Sequence, residues 1–430
     1  MMQGQGQQGS EKAPRERPPS QLAFVAGGGA IKAYAYHCGV LRGLRDDGFR
    51  FRGGTRWEPV LAPPGAREID TYVGSSAGAC IAASLASGHD IDEMRNAILG
   101  KARTVPRFGY RVMYAPIAPH PGRYLWRLWR RYMLGLLRPH HVLDVGGLVT
   151  AAGMERYFRK HVLPTNRFQD LEPALYLVAT QVNGFRKVVF GNTDSLGDDG
   201  YGRECAWYDN VEISEALAAA VSLPPLFAPY GIVNAATGKM FHYHDGEVRE
   251  PLSLHVARDV GARFAIASSI WRPYAWQDRV GSLADFGMMT LAEQAIHQAI
   301  EQKVVRDLAR AEEVEHALAI LDEYGNRHGI APASLQELKQ QVCQALGHRR
   351  MRVLHVCPEP SDAEFFFEGS FRFHPGIIER CVDAGHRAYL YASRTDPDFF
   401  ALLDEVLGSS SGNGAKVIDW QAARARAGGS

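Results

Sequence analysis

Five short, mostly apolar runs stop abruptly at small or turn residues: LAFVA (22–26), IDTYV (69–73), ALYLVAT (174–180), RFAIAS (263–268) and RVLHVC (352–357). A strand with one wet face alternates, whereas runs of this kind predict strands buried on both faces. Between them the spacing turns helical, in IKAYAYHCGVLRGLRDDG (31–48) and AGACIAASLASG (77–88). The stretch 288–325, MMTLAEQAIHQAIEQKVVRDLARAEEVEHALAILDEYG, is long and amphipathic and predicts two helices or one bent one. Strands alternating with helices predict an α/β protein around a central, mainly parallel sheet. One domain over 21–405 fits this alternation, interrupted by an insertion at 101–145. The flanks 1–20 and 406–430 are rich in small and polar residues and predict weakly ordered tails.

Composition narrows the picture modestly. The chain has 430 residues, 46% of them hydrophobic, which is ample for a large core. Net charge is +1, from 48 basic and 47 acidic residues, so no global field favours nucleic acid, and none is expected as a partner. Residues 1–20 lack an apolar segment, no uncharged run approaches a membrane span, and the six cysteines form no C-x-x-C pair. Those features predict a cytoplasmic protein without a disulfide framework or a zinc site.

Chemistry enters where IDTYV runs into GSSAGAC (74–80). Gly74 and Gly78 bracket Ser76 in G-x-S-x-G spacing; centring on Ser75 would put Val73 and Ala77 at the flanks instead. A serine at a sharp strand-to-helix turn needs nearly side-chain-free neighbours at minus two and plus two. It also sits where a helix N-terminus favours developing negative charge. The alternative is a serine that merely caps a closely packed helix.

A second turn, AGGGAIK (26–32), follows the first strand. A dinucleotide fingerprint would need a third glycine where Lys32 stands, and a Walker loop would need G-K-[ST], which is lacking. Two readings remain: a structural turn, or backbone donors aimed at the oxyanion formed when a serine attacks an ester.

Such a serine needs a base. Histidines abound after residue 76, but none stands in a frame that marks a catalytic role. In FHYHDGEVREPL (241–252), Asp245 precedes Gly246 in a turn that would leave its carboxylate at a strand end, where a dry site could make it basic enough. His244 is the rival, although adjacent side chains normally diverge.

The three pieces in order, GGGA (27–30), GSSAG (74–78) and DG (245–246), resemble the patatin-like phospholipase family. VATQVNGFRKVVF (178–190) and SEALAAAVSLPPLFAPY (214–230) are similar to further segments of that family. The resemblance implies a three-layer α/β sandwich and cleavage of lipid acyl esters by a Ser–Asp dyad without histidine. It carries the nucleophile to Ser76, the base to Asp245 and the oxyanion donors to Gly28, Gly29 and Ala30. No metal or cofactor is expected, and an acyl ester is the expected substrate. An esterase, thioesterase or storage-polyester hydrolase on the same dyad is one alternative, and a non-catalytic membrane-binding regulatory module is another. The chain departs from the family in two places: Ala30 and Lys32 stand where its glycine turn usually continues with a basic residue and a further glycine, and Glu247 follows D-G where glycine or alanine is usual.

No acidic residue occurs between Glu93 and Asp144. Within that basic stretch YLWRLWRRYMLGLL (124–137) predicts a cap helix with Arg127, Arg130 and Arg131 on one side and Leu125, Trp129 and Met133 on the other. This is the pattern of a helix lying at a membrane surface. Trp126, Arg127, Trp129, Arg130 and Arg131 are the expected contacts with an anionic inner membrane surface. A cap packed on the core, its arginines solvated, is the alternative.

Overall fold

The computed structural model describes residues 21–57, 65–116, 126, 129–130, 133–134, 147–184, 187–192, 205–234, 237–346 and 349–408. Among them one nine-stranded sheet dominates. Its strands are β1 (Leu22–Ala26), β2 (Thr71–Gly74), β3 (Ala174–Gln181), β4 (Lys187–Gly191), β5 (Cys205–Tyr208), β6 (Tyr230–Val233), β7 (Met240–Asp245), β8 (Phe264–Ser268) and β9 (Arg352–Val356). The order runs β6-β7-β3-β2-β1-β8-β9, with β4 and β5 continuing from the other edge of β3. From β3 through β2, β1 and β8 to β9 every pairing is parallel, while β4, β7 and β6 bring in antiparallel ladders. Each of the five apolar runs of the sequence contributes a strand to this sheet, although IDTYV breaks at Asp70, with Thr71–Val73 in β2 and Ile69 in a separate two-stranded sheet.

Alternation along the buried strands divides the core in two. Leu22, Phe24 and Ala26 of β1 face one cluster, and Ala23 and Val25 face the other. The first cluster packs beneath α1 (Ala30–Asp46), α2 (Ala77–Ala86), α3 (Ile91–Leu99), α4 (Ile213–Ala220), α8 (Pro375–Thr395) and α9 (Pro397–Gly408). The second lies under α5 (Leu254–Asp259) and reaches Val304 of α6 (Met288–Arg327). Sheet between two helical layers is the three-layer sandwich. Each large apolar side chain fully buried here contributes roughly 1.5–3 kcal/mol.

The stretch expected to form two helices or a bent one is a single helix, α6, of 40 residues, followed by α7 (Pro332–Leu346). No proline interrupts 288–327, and the one glycine, Gly325, lies in its last turn, so nothing in the chain breaks the hydrogen-bond ladder earlier.

Of the expected insertion, 101–116 is anchored: Val105, Phe108 and Met113 are buried in the first cluster. Arg127 and Arg131 lie outside the described residues, as do 1–20 and 409–430. Trp126, Trp129 and Arg130 are helical; Trp126 and Trp129 are 55% and 60% exposed, and the Arg130 guanidinium lies 5.2 Å from the centre of the Trp126 ring. Among the described residues no helix is long and apolar enough to cross a membrane.

Candidate active site

β1 runs into the glycine turn, which is held on two sides. Gly27 N–H donates to Ser268 O at the end of β8 (3.0 Å). His37 of α1 grips the turn from beneath, with Nε2 2.8 Å from Gly27 O and Nδ1 2.7 Å from Ser268 Oγ. Burial pushes His37 down to about 4. The neutral ring satisfies both contacts: Nε2–H donates to the carbonyl and Nδ1 accepts from the serine. Gly29, at φ 127°, occupies the left-handed region and caps α1. By helix geometry the amides of Ala30 and Ile31 have no acceptor within the helix.

β2 ends at Gly74, and two residues later Ser76 takes φ 54° and ψ −127°, a strained conformation for a residue with a side chain. The strain is imposed from both ends: a β-carbon on Gly74 would collide with the backbone of Gly78, and one on Gly78 would collide with Ala26 O. Ser76 N–H donates to Ala220 O (2.9 Å) at the end of α4, and α2 begins at the next residue. A β-carbon on Gly28 would collide with the Ser76 side chain, so the two turns touch.

Asp245 arrives from the opposite direction. β2 pairs with β3 as far as Gly74 opposite Leu177, and β7 pairs along the same edge of β3 as far as Asp245 opposite Ala179. The two strands therefore point at each other, end to end, with only Val178 of β3 between their last registers. Gly246 sits tight in that gap, because a β-carbon there would strike Val178 O and approach Ser75 Cβ. His244, one residue earlier, alternates away from Asp245, and its Nδ1 has no hydrogen-bond partner. Beyond Asp245 the loop is fastened on the far face, where Glu250 pairs with Lys187 and with His255 Nδ1 (2.7 Å).

Asp245 is fully buried. Its Oδ1 accepts from Glu247 N–H (3.0 Å), while Oδ2 has no partner of full hydrogen-bond geometry. Desolvation pushes its pKa up, and the nearby Ser76 hydroxyl and the Glu247 amide partly offset the rise. Glu247 is buried as well and is pushed up by desolvation and then by Asp245. Its Oε1 accepts from Gly28 N–H (2.5 Å) and from Trp271 Nε1–H (3.1 Å).

Beside Ser76 opens a cavity of about 440 Å³, mouth included, lined by apolar side chains among which are Ile31, Met113, Met154, Leu223 and Phe227. A second, of about 340 Å³ with its open mouth included, adjoins it. Tyr34 and Phe108 border both, stacked at 6.2 Å.

The structure thus brings together Ser76, Asp245 and the turn bearing Gly28, Gly29 and Ala30. Reading the sequence missed His37, Trp271 and the contact of Glu247 with Gly28. Glu247 had a signal, the large acidic residue after D-G; the other two had none in local spacing. Lys32 plays no part in the turn: its Nζ is buried, donates to Phe366 O (3.1 Å) and lies over the Phe365 ring. Among the described residues no cluster of side chains suits a metal ion.

A family model described as patatin-like phospholipase matches residues 24–258. No curated protein matches the chain. A crystal structure of VipD from Legionella pneumophila is similar over 88% of this chain and 67% of that one, at 12% identity and a TM-score of 0.33, too distant to bear on architecture or activity.

Proposed function

The chain belongs to the patatin-like phospholipase family, whose general activity is hydrolysis of lipid and other esters, and on that premise we propose that it is a serine acyl hydrolase in which Ser76 and Asp245 act as a dyad. The observation that supports this reading is the head-on approach of β2 and β7 along β3, which points the strand ends next to strained Ser76 and buried Asp245 toward each other.

In the mechanism, ionised Asp245 takes the proton of Ser76 as the hydroxyl oxygen attacks the ester carbonyl. Amides of the glycine turn, Gly28 and Gly29 foremost with Ala30 beside them, hold the tetrahedral oxyanion. The alcohol leaves with a proton returned by Asp245, and water activated by the same carboxylate releases the acid from acyl-Ser76. The apolar cavity suits the acyl chain, which makes fatty-acyl esters of phospholipids or related lipids the substrate class. The exposed tryptophans near residue 126 support docking on an anionic lipid surface.

Ser76→Ala should abolish both hydrolysis of a lipid ester and labelling by a fluorophosphonate probe while leaving the fold intact. Asp245→Asn should cut kcat by roughly 10²–10⁴-fold, the range of a lost general base. Undiminished turnover in either folded variant would sink the dyad.

A further inference from the structure

The amide expected to hold the oxyanion is already in use. Gly28 N–H donates to Glu247 Oε1 at 2.5 Å, and Trp271 Nε1–H braces the same oxygen from the other side at 3.1 Å. The second carboxyl oxygen lies against the bare face of Gly28, since a β-carbon there would collide with Glu247 Oε2 and with the Ser76 side chain alike. The Glu247 carboxyl group therefore sits beside the nucleophile, on a donor that the carbonyl of an ester would have to reach. One N–H cannot serve two acceptors with good geometry, so substrate and side chain compete for it.

We propose that Glu247 is the resting occupant of the oxyanion site, its carboxyl group holding the Gly28 amide until an ester carbonyl displaces it, so that residue 247 sets how readily Ser76 is acylated. The proposal rests on the Ser76–Asp245 reading. The arrangement has a physical logic. A buried amide without an acceptor is costly, and a carboxyl group in that place keeps the turn satisfied when no substrate is present. Burial keeps the group protonated to higher pH than a free glutamate, which lowers the cost of enclosing it next to Asp245. The same contact must be broken in each turnover, at the moment the carbonyl seats, before the chemistry. Its burden consequently falls on KM more than on kcat.

The test compares the full-length protein with Glu247→Ala and with Trp271→Phe, which keeps the carboxyl group and removes one of its two donors. Circular dichroism checks the fold. The readouts are the rate of fluorophosphonate labelling and kcat and KM on a short soluble ester, p-nitrophenyl butyrate. Clearing the amide should accelerate labelling roughly three- to tenfold in Glu247→Ala, the net worth of a hydrogen bond to a neutral carboxyl group, chiefly through a lower KM. Trp271→Phe should move the same way by a few-fold. Labelling that requires Ser76 yet is equal or slower in both folded variants overturns the proposal and leaves the dyad standing. If Glu247→Ala fails to fold, Trp271→Phe decides alone. If no form is labelled and Ser76→Ala hydrolyses as well as its parent, the dyad falls and the proposal with it.

Discussion

Asp245 and Glu247 hold their protons to higher pH in the folded protein than in the unfolded chain, because burial disfavours both carboxylates. For folding, an acid with a raised folded pKa contributes stability that is fully present below its unfolded value and is lost as pH rises through the folded one. For catalysis the sign reverses, since Asp245 as the proposed base would accept a proton only when ionised. Hydrolysis should therefore rise with pH through a range well above the ordinary aspartate value of 3.8, while thermal stability declines over that same range. Melting temperatures and kcat/KM measured side by side across pH check both halves, and Asp245→Asn should flatten part of the stability decline. An acid limb of kcat/KM at the ordinary carboxylate value would count against a desolvated base.

At the scale of elements, α1 contributes twice: its start forms the glycine turn and its first full turn supplies Tyr34. Stacked on Phe108, Tyr34 partitions the cavity beside Ser76 from the one adjoining it. Tyr34→Ala should join the two and shift the preferred acyl chain to greater length, by roughly fourfold in kcat/KM for each extra methylene that becomes buried. A series of p-nitrophenyl esters reads this directly; an unchanged optimum in the folded variant would mean that Tyr34 does not limit the chain. The buried strands β1, β3, β8 and β9 were legible because continuous apolar runs have few other uses, and Ser76 was legible because its strain leaves glycines at fixed offsets. The contact of Glu247 with Gly28 spans 219 positions and arises only from the meeting of three loops, so no local pattern announces it. β7 was half legible: MFHYHD carries histidines on a strand whose exposed positions tolerate them, and only its final Asp-Gly stood out.

For the whole molecule, chemistry and surface are separable. Trp126, Trp129, Met133 and Leu134 are exposed, while Ser76 lies buried at the end of β2. Replacing both tryptophans by serine should weaken binding to vesicles containing anionic lipid, and should lower hydrolysis of vesicle lipid while sparing p-nitrophenyl butyrate. Sedimentation with anionic and neutral vesicles, at low and high salt, measures the first effect, and binding of the parent protein indifferent to lipid charge would argue for a packed cap instead. The proposed dyad is insulated from such changes by the way β3 is used. Its one edge acts as a ruler on which two incoming chains are stopped a fixed number of rungs apart, so the stretch of sequence joining them can lengthen, shorten or be exchanged without moving either stop. A slip of β7 by a single rung would do what no surface remodelling does: turn its last carboxylate to the opposite side of the sheet and disarm the serine.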